Sequence, residues 1–185
     1  MPQEGVTAVT WLEEQELDEY NIIHIQGVMG SSAQIGRTGA LDEKVEAGDN
    51  WTLVTQQTAE WNAENAQQIV QAVIDSGEAF NVIYAENDDM AKGAVAALDA
   101  SGITHGVDGD VIVMGFDCNK WALEELLAGN WNYDGQCNPF QAAGIDEIIK
   151  GLEAGEEPAD KLIYSVEQGF DATTITQEDV DSFGI

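Results

Sequence analysis

The sequence predicts an α/β protein, a three-layer α/β/α arrangement with a mostly parallel sheet, and three observations carry that expectation. Short apolar, β-branched runs recur about every 25 to 30 residues, and longer segments with helical periodicity lie between them. Capping residues precede those helical segments and glycines follow them, so each strand-helix unit is closed at both ends. Alternating strands and helices argue for a parallel sheet covered on both faces.

Taken in order, Val6, Val9, Leu12 and Leu17 mark an opening helix that feeds a first strand at 22–25. Ser31-Ser32 start the next helix, which ends near Gly48, and a second strand follows at 51–54. Asn62 is the expected N-cap of a helix at 63–74, where Ala66, Ile69, Val70 and Val73 share one face before Gly77. A third strand at 80–85 leads to a helix at 90–98, with Asp88 as its expected N-cap, Ala91, Ala94, Val95 and Leu98 on one face, and Gly102 beyond its end. A fourth strand at 111–116 precedes a helix between Asn119 and Gly129, and weaker strands are expected at 131–136 and 162–166. The stretch 155–160, with Gly155 and Pro158, reads as a hinge or crossover.

A chain of 185 residues is one ordinary domain, long enough to fold on its own core. Its longest apolar runs are about six residues, too short to cross a membrane as a helix. Met1-Pro2-Gln3-Glu4 shows no basic segment followed by an apolar core, so no secretory leader is read here. Six Lys plus Arg against 35 Asp plus Glu give a formal charge of -29, which would repel nucleic acid and anionic membranes. The acids are spread along the chain, and a solvated acidic surface is a plainer reading than an acidic recognition face.

In an open parallel sheet, ligands bind in the crevice beyond the strand C-termini. The residues expected there include Gln26-Gly27 and Arg37 after the first strand, Trp61 after the second, Glu86-Asn87-Asp88 after the third, Asp117 after the fourth and Gln136 after the fifth. Arg37, Asn87, Asp117 and Gln136 are fork-shaped hydrogen-bonding groups, and Trp61 is a broad flat aromatic. Together they fit a neutral polyol, whose vicinal hydroxyls need donors and acceptors in a plane and whose CH face needs an aromatic cover. A phosphate fits poorly beside a single Arg in acidic surroundings. Each residue also has a duller role: Asn87 and Asp88 in turn and cap chemistry, Trp61 in packing, Arg37 in an ion pair.

Enzymatic signals are weak. The turn Gly27-Val28-Met29-Gly30 lacks the G-x-G-x-x-G spacing, the second strand has no ribose-binding acid at its end, and there is no P-loop lysine or G-x-S-x-G. His24 reads as a satisfied core histidine and His105 as a surface-loop residue. Cys118 and Cys137 both fall near the ligand edge, where a disulfide between neighbouring loops is one option; a metal site is disfavoured because no histidine accompanies them. No cofactor is expected.

The run Tyr84-Ala85-Glu86-Asn87-Asp88-Asp89-Met90-Ala91-Lys92-Gly93-Ala94 resembles the strand-to-helix signature of the periplasmic sugar-binding proteins of ABC importers, the ribose, galactose and galactofuranose group. Val113-Met114-Gly115-Phe116-Asp117, then Ala122-Leu123 and Leu127-Ala128-Gly129, resembles that family's next strand-helix unit. Gln26-Gly27, Arg37, Ala59-Glu60-Trp61-Asn62 and Gln136-Cys137-Asn138-Pro139 complete the set in order.

That resemblance implies a Rossmann-like lobe in which Arg37, Asn87, Asp117 and Gln136 bind sugar hydroxyls and Trp61 stacks on the ring. It implies a non-enzymatic, extracytoplasmic receptor that binds a monosaccharide and delivers it to an ABC permease. The family's two lobes together are longer than this chain, so the resemblance implies that 1–138 and 161–185 form the C-terminal lobe, while 139–160 would pack on an N-terminal lobe. The apolar face of 140–152 would then be open to another partner, with a homodimer expected. The lactose-repressor family shares much of this pattern, and a sugar-sensing effector domain is the alternative, though no DNA-binding helix-turn-helix is present.

Overall fold

The structure, a computed structural model, describes residues 2–160 and 167–185. Strands β1 (Tyr20–Gln26), β2 (Trp51–Thr58), β3 (Val82–Ala85), β4 (Ile112–Asp117), β5 (Tyr133–Gln136) and β6 (Gly169–Asp171) form one sheet in the order β2-β1-β3-β4-β5-β6. The first five strands are parallel, and β6 closes the sheet antiparallel to β5. The expected strand at 162–166 lies outside the described residues.

Helices α1 (Pro2–Glu13), α2 (Ser32–Ala47), α3 (Ala63–Ser76), α4 (Asp88–Ser101), α5 (Lys120–Leu127), α6 (Ala142–Glu153) and α7 (Gln177–Phe183) alternate with the strands. Period-2 alternation splits the strand side chains between two cores. On one face Ile22, Val82, Tyr84, Met114, Phe116 and Tyr133 meet Ala8, Val9 and Leu12 of α1 and Leu41 of α2. On the other, Ile23, Ile25, Ile83, Ala85 and Val113 meet the apolar stripes of α3, α4 and α5 and Val180 of α7. Each fully buried Ile or Val contributes about 1.5–3 kcal/mol, and burial on both faces explains why the strands read as unbroken apolar runs.

The helix ends follow side-chain chemistry. Ser31, Asn62 and Asn87 accept from the backbone N–H three residues on, each worth about 1 kcal/mol. The last of these corrects an expectation: the cap of α4 is Asn87, and Asp88 is the first helical residue, its carboxyl turned into the interior. Gly77 and Gly102 end α3 and α4 in the left-handed conformation. The opening helix is shorter than its apolar spacing suggests: α1 stops at Glu13, and Leu17 packs against the core from the following loop.

Sequence reasoning did not foresee β6 or α7. β6 is three residues long and contains a glycine, too little for an alternating pattern, and it is held by pairing with β5 and by the Trp11 indole N–H, which donates to Asp171. α7 is announced by a capping box, Thr176 with Asp179. α6 stands apart in character, with Ile145, Ile149 and Leu152 exposed along it and Phe140 exposed just before it.

Candidate functional site

Because β1 to β5 are parallel, their C-terminal ends share one edge, and α2 supplies Arg37 to that edge from its second turn. Arg37 is 1% exposed and is held on three sides. Its Nε donates to Glu4 Oε2 of α1 at 2.8 Å, its Nη1 to the Glu86 carbonyl at the end of β3, and its Nη2 to Asp117 Oδ1 at the end of β4 at 2.9 Å. The guanidinium also lies 4.7 Å from the centre of the Phe116 ring. Gln136 pairs with Asp117 in the β4–β5 register, and Asn87 follows the Glu86 carbonyl that Arg37 grips. Of the expected site residues, Arg37 and Asp117 are joined directly, Gln136 lies beside Asp117 across the strand pairing, and the Asn87 side chain caps α4 at the same edge.

The electrostatics are those of a buried ion cluster. Burial alone would lower the Arg37 pKa, but Asp117 and then Glu4 more than offset it and hold the guanidinium above its ordinary value. Asp117 is shifted upward, because its own burial outweighs the attraction of Arg37, with Glu4 and Asp89 adding repulsion. The edge thus presents a fixed cation beside a partly exposed carboxyl group, a pair that both donates and accepts.

Trp61 stands at the same edge, on the turn after β2, where Glu60 and Trp61 have φ of 55° and 63°. Its indole lies flat against Gly27: a Cβ built on that glycine would fall 1.9 Å from the ring. One ring face is therefore spent on Gly27, and the half-buried side chain also packs against the core under α3 and α4. Asp117 and Cys118 are also strained, with φ of 109° and 60°, conformations that cost on the order of 1–3 kcal/mol each and cluster at ligand sites.

The periplasmic binding protein domain family matches residues 2–149 of this chain. The chain belongs to that family. Fructose import binding protein FruE of Bifidobacterium longum is 27% identical over 172 residues, covering 92% of this chain and 50% of that protein. Galactofuranose-binding protein YtfQ of Escherichia coli is 27% identical over 160 residues, covering 84% of this chain and 50% of that one. A crystal structure from Mycobacterium smegmatis in complex with β-D-fucofuranose superposes with a TM-score of 0.79 at 26% identity, over 93% of this chain and 57% of the other. The chain spans about half the length of the curated relatives it matches.

Within this periplasmic binding protein domain, a polar network behind the edge went unread in the sequence. Glu86 is fully buried; its carboxylate accepts from the Gly27 backbone at 2.8 Å and from the Thr38 hydroxyl, and lies 3.0 Å from His24 Nε2. Thr38 in turn accepts from Gln26 at 3.0 Å and Gln34 at 2.9 Å. Gln56 meets His24 Nδ1 at 3.1 Å, so His24 is a satisfied core histidine. His105 is half-buried, bonded to the Asn130 carbonyl and Asp99, and is held more firmly than a surface-loop residue. The available signal was the Glu86-Asn87-Asp88 run at a strand end, where a buried acid needs partners from neighbouring strands.

The two cysteines are free thiols in different surroundings, not the loop-to-loop disulfide considered from sequence. Cys118 is buried beside Asp134, and burial followed by Asp134 pushes its pKa up. Cys137 is half-buried, its pKa pushed by burial to about 11. Its sulfur and one oxygen each of Glu4 and Glu167 lie within 4.8 Å of one another. That trio has donor atoms at metal-binding spacing, but the Arg37 guanidinium already occupies Glu4 Oε2 and repels a second cation. Among the described residues, no helix is long and apolar enough to cross a membrane.

Proposed function

We propose that this chain forms one wall of a monosaccharide-binding cleft and binds without catalysis. In this reading Arg37, Asn87, Asp117 and Gln136 meet the sugar hydroxyls and Trp61 covers a CH face of the ring. The observation that carries it is the convergence of those side chains on the C-terminal edge of the parallel sheet, with Arg37 tied to Asp117. The roles of the relatives support the wider setting, an extracytoplasmic receptor that hands sugar to an ABC permease, since FruE is named an import binding protein. Residues 139–160, with Phe140, Ile145, Ile149 and Leu152 exposed, would pack against the opposite lobe of the same protein; a homodimer through that face is the competing arrangement.

The test is a titration of the 15N-labelled chain with pentoses and hexoses, furanose-rich ones included, followed by NMR. One wall buries only part of a ligand, so saturation is expected in the millimolar range or weaker, where each 1.4 kcal/mol is about tenfold in affinity. Shifts confined to the Asn87, Asp117 and Gln136 amides and the Trp61 indole, with the sugar unchanged afterwards, support the proposal. No shift with any sugar, or turnover of one, overturns it.

A further inference from the structure

A second pair of acids lies directly beneath the site. Asp88 opens α4 and Asp134 sits on β5, and both are fully buried. Asp88 Oδ2 accepts from the Asn119 backbone at 2.8 Å and from the Asn119 side chain at 3.0 Å. Asp134 Oδ1 accepts from the Cys118 backbone at 3.4 Å. Between them the two carboxyls hold both residues that follow Asp117, in the turn where Asp117 and Cys118 take φ of 109° and 60°. The fold makes room for this arrangement at Gly115, where a Cβ would fall 2.7 Å from Asp88 Oδ1 and 2.8 Å from the Trp131 ring.

The remaining oxygens, Asp88 Oδ1 and Asp134 Oδ2, are buried and accept from no donor among the described residues. Asp134 pairs with Gly115 in the β4–β5 register, and Asp88 Oδ1 lies over that same glycine, so the two carboxyls are neighbours. Two buried carboxylates side by side, each with an oxygen lacking a donor, repel; one proton between them removes the repulsion and satisfies both.

We propose that Asp88 and Asp134 share a proton and act as the positioning pair of the site, clamping the strained turn that presents Asp117 to Arg37 and to the ligand. Losing the proton puts two adjacent negative charges under that turn, loosens the grip on Cys118 and Asn119, and lets Asp117 drift from Arg37. The ionisable groups beside the pair, Asp117 at the end of β4 and Cys118 directly after it, are neutral or negative and add to the effect. Burial and these neighbours hold both carboxyls above the ordinary carboxylate range, Asp134 at about 8. The consequence for ligand binding rests on the proposed role of Asp117; the shared proton does not.

The experiment follows the carboxyl carbons of Asp88 and Asp134, with the amide shifts of Cys118 and Asn119, by NMR of the 185-residue chain without sugar, from about pH 3 to about pH 10. The two carboxyls are expected to titrate together, above the ordinary carboxylate range, with the two amides moving at the same midpoint. In Asp134→Asn the amide NH2 replaces the proton permanently, so the Cys118 and Asn119 shifts should stay flat over that range. Separate titration of the two acids in the ordinary carboxylate range overturns the proposal, as does a pH profile at Cys118 and Asn119 that Asp134→Asn leaves unchanged. If that variant does not fold, the carboxyl titration of the native chain decides alone. A panel of sugars that fails to bind at both ends of the pH range counts against the sugar reading and leaves the shared proton standing.

Discussion

Arg37 and Asp117 are 80 residues apart in sequence, yet the guanidinium Nη2 stands 2.9 Å from the carboxylate, joining α2 to the end of β4 across β1 and β3. The same guanidinium reaches Glu4 and the Glu86 carbonyl, so one side chain ties together the first helix and two central strands. A group that organises the edge this way is structural as well as chemical.

Replacing Arg37 by Ala is therefore expected to cost about 3–5 kcal/mol, because it strips the cation from the buried Glu4 and from Asp117. Urea denaturation followed by circular dichroism measures it. A loss under about 1 kcal/mol would mean that the two acids simply neutralise, and that the ion cluster is not what holds the edge.

Gly27 and Trp61 should be coupled. Gly27→Ala pushes a methyl into the indole and is expected to cost about 1–3 kcal/mol and to shift tryptophan fluorescence. Most of that cost should vanish in a Trp61→Ala background, a coupling that a double-mutant cycle reads directly. Equal costs in both backgrounds would show that Gly27 is needed for some other reason.

The acid pair sets a pH dependence whose sign is fixed. Burial, and then Asp117, raise Asp134 to about 8 in the folded chain, against about 3.9 when unfolded. Protonation thus favours the fold: the contribution is fully present below about pH 4 and is lost as pH rises through about 8. The stability of the native chain relative to Asp134→Asn should accordingly decline over that window and level off above it. A constant difference between the two denaturation midpoints would contradict the upward shift.

Thiol reactivity should separate the cysteines. At pH 8 Cys137, with its pKa at about 11, carries on the order of one thiolate in a thousand and is expected to react slowly with a disulfide reagent. Cys118, buried beside Asp134, should react only after unfolding. Rapid labelling of both thiols in the native chain would show that the turn after Asp117 opens freely.

The apolar stripe of α6 is expected to be silent in stability. Ile145→Asp and Ile149→Asp, at positions about half exposed, should each change unfolding free energy by less than about 0.5 kcal/mol. Sedimentation of native chain and variants in moderate salt then tests self-association: a native dimer that Ile149→Asp dissolves favours the homodimer over packing against a second lobe.

Much of the fold was legible because its determinants are local. The runs at Ile22-Ile23 and Val113-Met114 are buried on both faces, and Ser31 and Asn62 cap the helices that follow, so periodicity and capping mark these elements without knowledge of their neighbours. Asp88 reads as a cap in the sequence because Asn87 and Asp88 have similar turn chemistry, and the choice between them depends on what lies beneath: Asp88 is drawn inward by Asn119 and the space at Gly115. β6 is not legible in the sequence because its three residues are made a strand by β5 rather than by their own pattern.

The sequence by itself determined the alternation of strands and helices, hence a parallel sheet and the edge at which Arg37, Trp61, Asn87, Asp117 and Gln136 collect. Only the tertiary structure decided how those residues are used. It pairs Arg37 with Glu4 and Asp117, lays Trp61 on Gly27, buries Glu86 in a network with His24 and Thr38, and sets Asp88 against Asp134. The physical reason is range. Periodicity, caps and turns are fixed by residues within a few positions of one another, whereas the state of a buried charge is fixed by whichever groups, tens of residues away, take the place of water around it.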